Sequence, residues 1–160
     1  MGTVTAPRVR IPTPSGVRPR RPTPHSTGAT VVDLIAAQVA RMPAAEAVRL
    51  GARSLSYREL NERSNQIEAH LRTLGAGPER LVALYMEHSI EVVCAILGVL
   101  KAGAAYVPVD PATTPQERLT FLLQDISEGA AAGGTSPVLV THSRLLSKIP
   151  RDVAEVITLD

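Results

Sequence analysis

One cysteine, Cys94, in 160 residues rules out an internal disulfide and a thiolate metal cluster, and it fits a reducing compartment such as the cytoplasm. Aromatics are scarce: Tyr57, Tyr85, Tyr106 and Phe121 are the whole set, with no tryptophan. A core must then be built from Leu, Val, Ile and Ala, and the stacking platforms that hold single-stranded nucleic acid are missing. The longest apolar run, residues 92–100, is far shorter than the roughly 20 residues that span a bilayer, so no membrane segment is expected. Acids are absent from residues 1–29, which hold five of the 17 basic side chains and six of the 13 prolines. The remaining 12 basic and 15 acidic side chains leave a net −3 on the rest of the chain. The overall +2 and the pI near 9.0 therefore come from the leading segment and do not describe a nucleic-acid surface. Arg20-Arg21 is followed by Pro22, His25 and Asp33 instead of an apolar stretch, which excludes twin-arginine export.

What is present divides at residue 30. Residues 1–29, with Pro-Thr-Pro at 12–14 and again at 22–24, lack donors and carry mutually repelling arginines, so they read as an extended, mobile leader. Over the whole chain, 44% hydrophobic and 20% charged residues suit one soluble core, which falls beyond residue 29. Thr30-Val-Val-Asp33, Ser56-Tyr-Arg-Glu59 and Thr114-Pro-Gln-Glu117 have the form of capping boxes that start helices, the last with proline at the favoured first helical position. Apolar residues at 31, 34, 35, 39 and 42 give the first helix its spacing. Leu60, Ile67, Leu71 and Leu74 line the second, which Gly75 stops. Ala47–Leu50 and Ser54–Ser56 around Gly51-Ala52 read as a hairpin. Leu81–Met86 is continuous and apolar, as a strand covered on both faces should be. Ser89 opens a helix to about Ala102 that is apolar nearly all round and so deeply buried. Ala104–Val109 is the next strand, 127–136 a surface loop, 138–141 a strand, 143–148 a short helix and 156–159 a last strand. Strands alternating with helices predict an α/β fold, a mainly parallel sheet with packed helices.

Two stretches carry a resemblance. Leu55-Ser-Tyr-Arg-Glu-Leu60 resembles the first core motif of nonribosomal peptide synthetase adenylation domains. Leu100-Lys-Ala-Gly-Ala-Ala-Tyr-Val-Pro-Val-Asp-Pro111 resembles the second. Glu59-Leu60-Asn61, Gly77-Pro78, Leu97-Gly98-Val99 and Pro115–Leu119 are similar to that family too, so the resemblance covers residues 30–160. Asp110, where acyl-CoA ligases of the same superfamily often show Asn, tilts the reading toward the peptide-synthetase branch. The resemblance implies the N-terminal part of a large subdomain in an enzyme that activates an amino or aryl acid with ATP and Mg²⁺. Such an enzyme passes the acyl group to a phosphopantetheinyl carrier protein, its other partners being its own downstream subdomains.

The residues themselves read as scaffold. Tyr57 and Tyr106 are expected to be packed aromatics, Lys101 a helix-end charge, Gly103 a helix stop feeding a buried strand, and Asp110 a turn former. The family's phosphate loop, a Gly/Ser/Thr-rich turn ending in Pro-Lys-Gly, is not found in 112–160. The only glycine-rich stretch there, 129–136, has no following lysine. The chain is thus expected to stop short of the catalytic residues, and strands near 138–141 and 155–159 to find neighbours in later sequence. His25, His70, His88 and His142 lack metal-ligand spacing, and Cys94 reads as a buried thiol. No catalytic, cofactor-binding or metal residue is assigned, and the chain alone is expected not to be catalytic. Alternatives are an interaction module that docks through the Arg/Pro segment, a fragment of an acyl-CoA-ligase relative, and a small autonomous nucleotide-binding domain.

Overall fold

Two of the three expected capping boxes form, at Thr30 and Ser56, and a third helix begins on the Ser89 hydroxyl. In the computed structural model, which describes residues 28–129, 136–150 and 153–160, helix α1 (Val31–Arg41) is closed by Thr30. The Asp33 N–H donates to the Thr30 hydroxyl at 3.2 Å, and the Thr30 N–H donates to the Asp33 carboxylate at 2.8 Å. Helix α2 (Tyr57–Thr73) repeats the exchange between Ser56 and Glu59. Helix α3 (Ile90–Lys101) is capped by Ser89, whose hydroxyl accepts from the Val92 N–H at 3.2 Å.

Helices α2 and α3 also stop alike. Gly75 and Gly103 take φ of +81° and +83°, and the chain turns back so that Ala76 donates to Leu71 and Ala104 to Val99. Glycine adopts this left-handed geometry without a Cβ clash. Helix α4 (Gln116–Gly129) differs from the reading at both ends. Leu119 donates to the Pro115 carbonyl, so Pro115 stands at the cap where Thr114 was expected, and the proline is not at the first helical position. Residues 127–129, expected as loop, continue the helix. The leader up to residue 27 and the glycine-rich residues 130–135 lie outside the described residues.

Strands β1 (Glu46–Leu50) and β2 (Arg53–Ser56) form the antiparallel hairpin around Gly51. Strands β3 (Leu81–Tyr85), β4 (Ala105–Val109), β5 (Val138–Thr141) and β6 (Glu155–Thr158) form a parallel sheet in the order β4-β3-β5-β6. Val82, Leu84, Val138, Val140 and Ile157 face the layer of α2, α3 and the hairpin. Ala83, Tyr85, Val109 and Leu139 face α4 and the 3₁₀ turn Ser143–Lys148. The fold class is α/β, as expected.

Three expectations need correction. First, β4 is an edge strand paired with β3 alone among the described residues, so Ala105, Tyr106 and Pro108 are exposed and Tyr106 is not a packed aromatic. A proline without an N–H is tolerated there because one side of an edge strand makes no ladder bonds. Second, β5 is flanked on both sides by strands of this chain, β3 and β6. It needs no neighbour from later sequence, and β6 has one partner among the described residues. Third, the apolar periodicity of α1 is poorly used: Val31, Leu34 and Met42 are exposed, and no α1 residue is fully buried. Within α3, six residues are buried but Val93 faces out.

Candidate functional site

In an open parallel sheet the place for a ligand is outside the carboxyl ends of the strands, where the winding reverses. That reversal falls between β3 and β5, since α3 carries the chain outward to β4 and α4 brings it back across to β5. Several of the protein's own polar side chains meet there. The Ser89 hydroxyl, already accepting from α3, lies 3.3 Å from His142 Nε2. His142 is 5% exposed, and its Nδ1 has no hydrogen-bond partner among the described residues. Thr141 donates through its hydroxyl to the Tyr85 carbonyl at 2.7 Å, joining β5 to β3 at the same end. Glu87 and Arg144 form an ion pair at 2.7 Å across the mouth. Asp160 accepts from the Ser143 N–H at 3.0 Å; the Ser143 side chain first and then this backbone bond, with His142 and Arg144 nearby, hold its carboxyl below the usual range. The sequence marks Ser89 only as a helix start, and the spacing of His142 points to no ligand. Nothing local signals their meeting, because 53 residues separate them.

The residues of the two motif-like stretches do structural work. Ser56 and Glu59 close α2, and Leu60 is buried at 3% exposure. Tyr57 is half-buried. Asp110 forms a turn: Ala112 donates to its carboxylate at 2.9 Å and Thr114 to its carbonyl at 3.0 Å. Lys101 does more than end a helix. Its ammonium donates to Asn61 Oδ1 (2.7 Å), Ser64 Oγ (2.7 Å) and Asn65 Oδ1 (2.6 Å), all on α2. Burial pushes the amine below its ordinary value, with Glu68 one turn further along α2 opposing that shift. An ammonium so engaged is not a phosphate ligand.

The other candidates fall into place in the same way. Cys94 is buried in α3, and desolvation raises its thiol, which keeps it protonated and unreactive. It borders a cavity of about 300 Å³ with Arg63, Glu91 and Asp160. A second cavity, about 440 Å³, opens at the amino ends of β3, β4 and β5 beside Glu79, Arg80 and Gly103. It lies at the opposite end of the sheet from the winding reversal. His70 and His88 are exposed, and His25 lies outside the described residues. Among the described residues no three of His, Cys, Asp and Glu stand close enough to hold a metal ion, and no helix is long and apolar enough to cross a membrane. At the winding reversal the described side chains Ser89, Thr141, Glu87, Arg144 and Asp160 are engaged with one another, with His142 or with the chain's own backbone.

Comparison with known proteins supplies what the geometry does not. Residues 35–153 match the family model described as AMP-binding enzyme. The chain is 45% identical over 121 residues to tyrocidine synthase 3 of Brevibacillus parabrevis, covering 76% of this chain and 2% of that protein. It is 47% identical over 108 residues to the isonitrile lipopeptide synthase of Mycobacterium tuberculosis, covering 68% of this chain and 4% of the relative. Among solved structures, the nonribosomal peptide synthetase FmoA3 bound to α-methyl-L-serine-AMP superposes with a TM-score of 0.68 at 34% identity, over 79% of this chain and 14% of that one. The same protein has also been solved in an AMPPNP-bound form. The chain thus spans only a few per cent of the curated relatives it matches.

Proposed function

This chain belongs to the AMP-binding enzyme family, and from that premise we propose that it forms the amino-terminal layers of an adenylation domain in nonribosomal peptide synthesis. Such a domain activates an amino acid, or an aryl acid, with ATP and Mg²⁺ and hands it to a phosphopantetheinyl carrier protein. Residues 30–160 are the partial adenylation unit and residues 1–29 a leader outside it; the whole enzyme works in the cytoplasm, in contact with its own further subdomains. The role of this chain is to hold a sheet edge and two helix layers in place for chemistry carried by other residues.

The observation that supports this reading is the use of the two motif-like stretches. Their polar side chains with a partner in this structure cap a helix, form a turn or join two helices, and none of these is left facing a ligand. Sheet and motif therefore serve the same end: positioning.

Two measurements test it. Residues 30–160 are grafted over the matching segment of an adenylation domain in tyrocidine synthase 3. The folded chimera is expected to catalyse ATP–pyrophosphate exchange with the host's acid preference; a folded, monomeric but inactive chimera counts against the proposal. The purified chain alone is expected to give no exchange above background, and robust exchange would remove the scaffold role.

A further inference from the structure

Helices α2 and α3 approach closely, and one cation sits where they part. A Cβ built on Gly98 would lie 2.6 Å from Ile67 Cγ2 and 3.2 Å from the Ser64 carbonyl, so the backbones are in near contact at that point. One turn further along α3, Lys101 reaches across into the first half of α2. Its ammonium has Asn61 Oδ1, Ser64 Oγ and Asn65 Oδ1 within 2.6–2.7 Å and the Asn61 carbonyl at 3.4 Å. The Ser64 hydroxyl gives its own proton to the Asn61 carbonyl at 2.9 Å, so its lone pairs are free to accept from the lysine. All four oxygens belong to neutral groups, and they come from a single helical turn.

We propose that residues Asn61, Ser64 and Asn65 of α2 build a monovalent-cation site of ammonium type, filled in this chain by its own tethered ligand, Lys101. Three observations lead there. The oxygens converge on one point from three side chains and a carbonyl, with Ser64 buried, Asn61 half-buried and Asn65 at the exposed rim. Ser64 is fully buried, so its hydroxyl serves an interior partner. Among the described residues no carboxylate forms an ion pair with the ammonium, and Glu68 is paired with Arg72 at 3.0 Å. A cage of neutral dipoles suits a singly charged, hydrogen-bond-donating ion. Arg72 makes the reciprocal contact, donating to the Lys101 carbonyl at 3.3 Å, where the exposed carbonyls of a helix end favour positive charge. The two helices are thus joined by two cations pointing in opposite directions. Lys101 acts through the α2–α3 joint and is a positioning residue.

The test is chemical rescue in the full chain. Lys101→Ala removes a partner of the buried Ser64 hydroxyl and of the half-buried Asn61 amide and is expected to lower Tm by roughly 2–6 °C. Ammonium chloride should then raise the Tm of the variant more than tetramethylammonium chloride does at equal concentration. The unsubstituted chain, whose cage is full, should show no such difference between the two salts. A variant that melts with the unsubstituted chain, or that responds equally to both salts, overturns the proposal. If Lys101→Ala fails to fold unaided, refolding yield in the two salts replaces Tm; equal yields are the overturning result. Independently, Asn65→Asp places a carboxylate against the ammonium and should raise Tm relative to Asn65→Ala. An Asp variant no more stable than the Ala variant shows that no cation is held there.

Discussion

At the start of α2, Ser56 and Glu59 trade hydrogen bonds through 2.7 Å and 3.3 Å contacts, satisfying two backbone donors that the helix cannot. The Glu59 carboxyl is held below its ordinary value, first by the Ser56 N–H and then by the Ser56 hydroxyl. A carboxyl whose folded value is depressed adds stability above its unfolded pKa and loses it as pH falls through the folded one. Ser56→Ala is therefore expected to cost about 1 kcal/mol at neutral pH, and less once the pH falls below the folded value of Glu59. Urea unfolding at pH 7 and in the acid range checks this; an equal loss at both would mean that the cap does not depend on the charge of Glu59. This exchange is legible in the sequence because it spans three residues. The Lys101 cage is not, since Asn61, Ser64 and Asn65 lie 36 to 40 residues away and asparagines on a helix read as solvated surface.

Between elements, the α2–α3 contact depends on the absence of a side chain. Gly98 sits in mid-helix, where glycine is unfavourable by about 1 kcal/mol against alanine, so its presence needs a packing reason. Ile67 Cγ2 supplies it, at 2.6 Å from where a methyl would go. Gly98→Ala is expected to destabilise by about 1–3 kcal/mol through overpacking despite its better helix propensity. Combining it with Ile67→Ala, which removes Cγ2, should give a double variant less destabilised than the sum of the two single changes; chemical denaturation of the single and double variants measures the coupling. In the sequence, Leu97-Gly98-Val99 stands out only as part of a resemblance. The close approach itself becomes visible when α2 is laid against α3. The same limit explains β4: the run Ala104–Val109 looks like an interior strand by hydropathy, but strand order places it at the edge, and edge or centre is not encoded in a strand's own composition.

For the molecule as a whole, the sheet ends on β6, whose outer side carries unpaired backbone donors and acceptors among the described residues. Val156 on this strand is 38% exposed. Such an edge pairs readily with another chain, and a lysine on it is a common obstacle to that pairing. Val156→Lys is expected to reduce concentration-dependent self-association while changing stability by less than about 1 kcal/mol. Light scattering across a concentration series, with a parallel urea melt, separates the two effects. Self-association that is unchanged, or a large loss of stability, would place the sticky surface elsewhere, the exposed Val31 and Leu34 of α1 being next in line.

Local chemistry along the chain is enough to set the α/β class, the order of the elements, the starts of α1, α2 and α3, the glycine stops of α2 and α3, and the kinship carried by Leu55–Leu60 and Leu100–Pro111. All of these follow from neighbours a few residues apart, through capping hydroxyls, left-handed glycines and apolar period. Three features wait for the packed molecule: β4 at the edge with β5 at the centre, Ser89 and His142 meeting at the winding reversal, and Lys101 held by α2. Each depends on which distant segments the hydrophobic layers bring together, and a contact across tens of residues leaves no periodic trace in the chain that makes it.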